Sequence, residues 1–341
     1  MTIAKSVVLP GLVEPEGLVI ESGPLGTPGK GQLLVAVEAT GISFAEQAMR
    51  RGRYFGQPKF PFVPGYDLVG TVLEVGADVD ASLVGTRVAT LTKTGGWTSH
   101  AVVEARDSVV VPAGVEPAAA ETVVVNGVTA WQMLHRAARV EPGQTILVHG
   151  ASGGVGGVLI QLAHHVGVRV IGAASPRHHD ALRAAGVEPV DYHDPDFATR
   201  VRELSPRGVD AVFDNIGGSM TRVSYELLAP KGTLVSYAII EGVAGTGGLV
   251  LPFMKALGQL LLWNTLPNGH RAMFYNIWAG HTFRSARFRR HLEEDLGHVF
   301  ALLADGTLTA TIAARFSLDD AAEALALAES RTVNGKVILV P

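Results

Sequence analysis

Cysteine is absent from all 341 residues. That excludes disulfides, thiolate nucleophiles and every zinc or iron–sulfur centre built on cysteine. A basic excess is missing too, since 28 Lys and Arg stand against 32 Asp and Glu for a formal net charge of −4. The basic residues are scattered except from Arg284 to Arg290, which reads as one solvated helix face, so nucleic acid is not an expected partner. No run approaches the roughly 18 uninterrupted apolar residues that span a bilayer, and the N-terminus has no basic stretch followed by an apolar one. A cytoplasmic location without a membrane partner is the expectation. Internal repeats and low-complexity linkers are lacking as well.

What is present is apolar and glycine-punctuated. Hydrophobic residues make up 47% of the chain, enough for two ordinary cores. From Ala4 to about Pro112 the sequence consists of short β-branched runs: Gln32 to Glu38, Leu68 to Val75, Arg87 to Leu91, Thr98 to Val103 and Ser108 to Val111. Their spacing predicts a compact antiparallel β barrel or sandwich. From Ala118 the texture changes to alternating strand and helix, the pattern of a doubly wound α/β sheet. Helices are expected over Ala118 to Arg139, Ala173 to Ala185, Met220 to Leu228, Ala286 to Ala304 and Leu318 to Glu329. Strands are expected over Val209 to Phe213, Gly232 to Ile239, Thr311 to Phe316 and Lys336 to Val340, with Arg271 to Trp278 at an edge.

One segment carries chemistry. Thr145-Ile146-Leu147-Val148-His149-Gly150-Ala151-Ser152-Gly153-Gly154-Val155-Gly156 runs from a buried strand through a glycine turn into an apolar helix, and a second strand at Val168 to Ala174 follows at the βαβ distance. Short side chains let the backbone close on a pyrophosphate, whose charge then meets the free N–H groups of the helix N-terminus. Roughly 140 residues precede this motif, a domain's worth, so the nucleotide fold is the second domain.

In chain order, further segments give a family resemblance. They are Gly41-Ile42-Ser43-Phe44 with Arg51-Gly52-Arg53-Tyr54, Pro64-Gly65-Tyr66-Asp67-Leu68-Val69-Gly70, Asn126-Gly127-Val128-Thr129-Ala130, the glycine loop, Val190-Asp191-Tyr192 and Asn334-Gly335-Lys336-Val337. Together they resemble the medium-chain dehydrogenase/reductase superfamily, in its zinc-free quinone oxidoreductase and zeta-crystallin-like branch. The resemblance implies a GroES-like β-barrel catalytic domain from both chain ends (1–124 and 280–341) and an inserted Rossmann domain (125–279). In zinc alcohol dehydrogenases of the superfamily a catalytic metal is held at the places matching Ser43, Tyr66 and Asn126, none of which is a credible zinc ligand here. The loop that carries structural cysteines there is also missing, because Thr90 to Trp97 passes directly between strands.

The place where an NAD site needs Asp or Glu is taken by Ala174, followed by Ser175 and Arg177, with His178 and His179 beyond. Tyr192 matches a tyrosine that resembling NADPH enzymes set against the 2′-phosphate, so NADPH is the expected cofactor. The implied cofactor residues are Ala151, Ser152, Gly153, Gly154, Val155, Gly156, Ser175, Arg177, Tyr192 and Asn215. Asn126, Thr129, Ser236, Tyr237 and Asn334 are placed by resemblance near the nicotinamide, at a cleft between the domains. On the substrate side Tyr54, Ser43 and Tyr66 are the catalytic candidates, with Glu46 beside them and Tyr54 preferred as donor to a substrate oxygen. Many family members have Asn where Ser43 stands.

The apolar clusters Met254 to Trp263 and Met273 to Trp278 fit either core and dimer contact or a pocket lined by Phe253, Trp263 and Phe274. The expected activity is metal-free, NADPH-dependent hydride transfer to a quinone or conjugated C=C of a small apolar substrate. An enoyl-thioester reductase, or a nucleotide-binding protein with little turnover, are the alternatives. A homodimer through the 271–278 edge strand is expected.

Overall fold

The computed structural model describes residues 3–238 and 250–341. They fall into two compact units, Met1–Val128 with Gly280–Pro341, and Thr129–Ala279. Along the chain the first unit contributes β1 (Ile3–Val8), β2 (Val19–Pro24), β3 (Gln32–Ile42), α1 (Phe44–Arg50), β4 (Asp67–Val75), β5 (Arg87–Leu91), β6 (His100–Glu104), β7 (Ser108–Val110) and α2 (Pro117–Thr122). Helix α3 (Val124–Trp131) leads into the second unit, which holds β8 (Thr145–His149), α4 (Gly154–His165), β9 (Arg169–Ala173), α5 (His179–Ala184), β10 (Glu188–Val190) and α6 (Phe197–Leu204). It continues through β11 (Val209–Asp214), α7 (Gly218–Glu226), β12 (Leu228–Ser236), α8 (Val250–Trp263) and β13 (Arg271–Phe274). The chain then returns to the first unit with α9 (Ser285–Ala304), β14 (Ile312–Ser317), α10 (Ala321–Ser330) and β15 (Lys336–Val340). Among the described residues, no helix is long and apolar enough to cross a membrane.

The spine of the first unit is β3. It pairs antiparallel with β6 over Gln32 to Ala36 and with β4 over Leu33 to Thr40, and its last residues, Thr40 to Ile42, pair with β15. The strand order β14-β15-β3-β4-β5-β7 therefore mixes the two chain ends in one sheet. Irregular register at Leu34/Val35 and Val37/Ala39 bends it, as bulges do. Leu33, Val35, Leu68, Val72 and Val88 fill one side. On the other, Trp97 is fully buried with Ile42, Leu325 and Leu339, and its indole N–H donates to the Gly41 carbonyl at 2.9 Å. The GroES-like barrel fold and the α/β sheet of the second unit are both those expected from sequence.

Three of the buried ionisable side chains of this unit meet one another. The Lys336 ammonium, 4% exposed, donates to both Asp67 carboxylate oxygens (3.0 and 2.9 Å) and to Glu121 Oε1 (2.7 Å). Asp67 also accepts the Val125 N–H at 2.9 Å. One cation faces two carboxylates, and Glu121 Oε2 has no hydrogen-bond partner. Burial and the Asp67 charge accordingly push the Glu121 carboxyl well above the usual carboxylate range. Gly41 leaves the space for this group, because a Cβ there would run into the Lys336 stem and the Glu121 carboxylate.

In the second unit six parallel strands run in the order β10-β9-β8-β11-β12-β13. Leu147, Ile171, Val212 and Leu234 of the sheet pack with Phe197, Tyr225 and Leu260 of the helices. The order reverses between β8 and β11, the position at which ligands of open α/β sheets bind.

Several element boundaries differ from the sequence reading. The single helix expected over Ala118 to Arg139 is broken after Thr122, resumes as α3, and ends in a wider π-type turn over Gln132–Ala138. The capture of the Val125 N–H by Asp67 takes that donor out of the helical ladder. Ala173 belongs to β9, with Pro176 opening a single 3₁₀ turn before α5. The edge strand stops at Phe274 rather than Trp278, because Asn276 Oδ1 accepts the Trp278 N–H at 2.9 Å and turns the chain. β12 starts earlier than Gly232 and ends at Ser236; Ile239 lies outside the described residues. Arg289 is not part of a solvated face, since its guanidinium donates to Asp107 at 2.7 Å.

The enclosed ions set a stability prediction. Removing the cation in Lys336→Met leaves Asp67 unpaired and is expected to cost about 3–5 kcal/mol. The Glu121 carboxyl, raised in the fold, contributes fully below its unfolded value of about 4.3, and that contribution is lost as pH rises through the folded value. Glu121→Gln cannot ionise, so its stability relative to wild type should increase from pH 5 to pH 8. Urea midpoints at both pH values check this, and a constant difference would refute it.

Candidate functional site

The first unit assembles its polar cluster from the end of β3 and two loops. Ser43 caps α1 and Glu46 lies in that helix's first turn. Glu46 Oε2 accepts the Ser43 N–H at 2.8 Å and the Ser43 hydroxyl; its Oε1 accepts the Tyr66 N–H at 2.6 Å. Arg50 fixes the far end of the helix by donating to both Glu329 oxygens (2.9 and 2.7 Å) and to the Val13 carbonyl (2.7 Å). The hydroxyls of Tyr54 and Tyr66 are 2.7 Å apart, with the rings meeting edge-on at 6.0 Å. Tyr66 is buried and Tyr54 half-buried. Burial raises the Tyr54 phenol above its ordinary range, with the Tyr66 hydroxyl pulling back, so it stays protonated and able to donate. Burial likewise raises the Glu46 carboxyl against the pull of the Ser43 hydrogen bond.

In the second unit the glycine turn lies at the sheet's switch point. Gly150, at φ +62°, ends β8, and a Cβ on it would collide with the Asn215 amide at the end of β11. Gly156 is as confined, because its Cβ would meet the Gly150 carbonyl. Helix α4 begins behind Gly153 with no side chain capping it, leaving its first N–H groups for a ligand. Asn215 Oδ1 is buried without a partner. An uncapped helix start, a turn only glycine can make and an orphaned acceptor fit a dinucleotide. Ala151 is buried beside this turn, whereas Ser152, Gly154 and Val155 are half-buried.

At the end of β9, Ser175 Oγ lies 3.0 Å from the Tyr192 hydroxyl. No acid stands at the strand end, where Ala174 is buried; Arg177 is exposed on the 3₁₀ turn that follows. His179 Nε2 bonds the Ala174 carbonyl at 3.0 Å. Ser236 is buried at the end of β12, and Tyr237 donates its N–H to the Asp214 carbonyl at 2.9 Å. Burial and the Asp214 charge hold the Tyr237 hydroxyl far above the usual phenol range. Asn126 and Thr129 are buried one turn apart on α3, and the Asn126 amide donates to the Thr122 carbonyl at 3.1 Å. Asn334 is exposed in the turn before β15.

Of the proposed pocket aromatics, Trp263 stacks on Tyr225 at 4.2 Å against the second unit's core, and Phe253 meets Phe274 edge-on at 5.3 Å. Two features escaped the sequence reading. The Lys336 cluster is one; a lysine heading the apolar run Val337 to Val340 was its only signal. The other is that Gly150-Ala151-Ser152-Gly153-Gly154 also spells the Gly-x-Ser-x-Gly elbow of hydrolases. His149 offers that serine no base, being fully buried and bonded to Ser224 Oγ at 2.9 Å.

Comparisons with known proteins agree with both units. The alcohol dehydrogenase GroES-like domain family matches residues 29–133, and the zinc-binding dehydrogenase family matches residues 186–339. The human synaptic vesicle membrane protein VAT-1 homolog is 31% identical over 99% of this chain and 87% of its own. The phthioceranic/hydroxyphthioceranic acid synthase of Mycobacterium tuberculosis (strain H37Rv) is 31% identical over 92% of this chain, which corresponds to 14% of the synthase. Among solved structures, a mycobacterial quinone oxidoreductase is 29% identical over 99% of this chain and 100% of that one, with a TM-score of 0.82. A mycobacterial protein complexed with NADPH is 27% identical over the same shares, with a TM-score of 0.83. With the glycine turn at the switch point, the zinc-ligand positions replaced and full-length similarity of this kind, the chain belongs to the medium-chain dehydrogenase/reductase superfamily, in its zinc-free quinone oxidoreductase branch.

Proposed function

We propose that the chain is an NADPH-dependent reductase, acting without a metal, on a quinone or the conjugated C=C of a small apolar substrate. The observation that carries this reading is the Tyr54–Tyr66 hydroxyl pair. Tyr66 occupies a position that holds a metal ligand in zinc relatives, so hydrogen-bond donation stands in for a Lewis acid. When bound, the nicotinamide supplies the hydride. Tyr54 then donates to the substrate oxygen on which charge develops, and a conjugated acceptor spreads that charge far enough for one donor to suffice. The quinone oxidoreductase and the NADPH complex among the similar structures support this assignment. An enoyl-thioester reductase is the second reading, favoured by the similarity to a segment of the phthioceranic/hydroxyphthioceranic acid synthase.

A panel of one enone, one quinone, one enoyl thioester and one simple aldehyde with NADPH separates these readings. Tyr54→Phe should lower kcat for the enone by on the order of 10²–10³-fold with NADPH affinity unchanged, and the more easily reduced quinone should suffer less. Efficient aldehyde reduction would defeat the metal-free reading.

The cofactor assignment rests on Ala174 with Ser175, Arg177 and Tyr192. One proton of the bonded Ser175 and Tyr192 hydroxyls lies between them and the other is left to donate to a 2′-phosphate, while Arg177 adds charge. Wild type should bind NADPH more tightly than NADH, and Arg177→Ala should narrow the gap by about 1–3 kcal/mol. Equal dissociation constants for the two nucleotides in wild type would overturn it.

We further propose a homodimer through β13. Among the described residues this edge strand pairs only with β12, and α8, packed on it, exposes Leu251 (79%), Leu261 (62%) and Leu262 (62%). Antiparallel pairing of two copies would cover the edge and that apolar face together. Light scattering at micromolar concentration should give twice the 35.8 kDa chain mass; a monomer would remove the interface.

A further inference from the structure

Glu46 closes a capping box with Ser43, a role that needs only an acceptor for the cap residue's N–H. The side chain is 1% exposed and commits both oxygens. Oε2 serves the cap, while Oε1 leaves the helix for the backbone N–H of Tyr66, 20 residues away in sequence, at 2.6 Å. The next residue, Asp67, is locked by Lys336 and the Val125 N–H. The Tyr66 backbone is therefore held at its own N–H and at the following side chain, while its ring carries the hydroxyl that meets Tyr54.

Counting protons narrows what the cluster can offer. The Ser43 hydroxyl gives its proton to Glu46 and accepts the Ala45 N–H at 3.1 Å, so it is committed within the cap. Of the two phenolic protons, one is used between Tyr54 and Tyr66. Tyr66 is the more buried of the two, which leaves the Tyr54 hydroxyl nearer to solvent.

We propose that Glu46 is a positioning residue: by fixing the Tyr66 backbone it holds the Tyr66 hydroxyl as donor to Tyr54 and leaves the Tyr54 proton as the one directed at substrate. This rests on the reductase reading above. Ser43, on this account, is part of the support and not a donor to substrate.

The test compares three substitutions by steady-state kinetics with an enone and by amide hydrogen exchange of a peptide containing Tyr66. Glu46→Gln keeps the length and one oxygen for the Tyr66 N–H while giving up the cap's N–H, and should lose less kcat than Glu46→Asp. Glu46→Asp keeps the charge but is one methylene too short to serve cap and loop at once. It should lower kcat at least about tenfold, as should Glu46→Ala, with NADPH affinity unchanged and faster exchange at the Tyr66 amide. Placed in a Tyr54→Phe background, Glu46→Asp should cost no further factor, because the residue acts through that hydroxyl. Should Glu46→Ala fail to fold, Glu46→Asp against Glu46→Gln still decides. Full kcat in Glu46→Asp, or an equal loss in both backgrounds, overturns the proposal. A wild type that turns over no acceptor overturns the reductase reading instead, and unchanged Tyr66 exchange in Glu46→Asp then overturns the positioning on its own.

Discussion

Lys336 carries an ammonium into the interior of the first unit, and much of the candidate site depends on how that charge is met. Removing an ion from water costs several kcal/mol even after relaxation, so the group persists only with close partners. Asp67 and Glu121 supply them at 2.7 to 3.0 Å. The three residues come from β15, the start of β4 and α2, so one enclosed charge joins three segments distant in sequence. Two of these segments lead directly into site positions, Tyr66 before Asp67 and Asn334 before Lys336. Asp67 reaches a third through the Val125 N–H, at the start of the helix that carries Asn126 and Thr129.

That arrangement has a directional consequence. With a single cation for two carboxylates, burial and the neighbouring acid raise the Glu121 carboxyl, whose Oε2 lacks a partner, whereas Asp67 has two. Asp67 is held by Lys336 and by the Val125 N–H, which fixes the residue adjacent to Tyr66. Glu46 completes the frame from the opposite side by accepting the Tyr66 N–H. The second unit uses a different device, close backbone approach instead of charge, with Gly150 and Asn215 meeting where the strand order reverses.

The nucleotide half was the more legible in sequence, because its signal is local. A strand, a glycine turn and a helix are contiguous, and the reason for each glycine lies within a few residues of it: Gly156 abuts the Gly150 carbonyl. The strands at Arg87–Leu91 and Lys336–Val340 were readable with their exact limits for the same reason, being apolar runs bounded by turns. Boundaries failed where a side chain captured a backbone N–H, whether from far along the chain or from two residues away. Asp67 broke the helix expected over Ala118 to Arg139, and the Asn276 turn shortened the edge strand.

Sequence alone thus determined the superfamily, the α/β nucleotide fold and the absence of cysteine-based metal chemistry, since composition, periodicity and contiguous motifs are properties of neighbouring residues. Tertiary structure decided which polar side chains act together. Nothing in the spacing of Ser43, Glu46, Tyr54 and Tyr66 shows that one hydroxyl proton is spent on a carboxylate and another shared between phenols. Nor does a lysine at the head of an apolar strand disclose its two acids. Those pairings follow from burial, which obliges each enclosed polar group to find a partner wherever the folded chain brings one within about 3 Å.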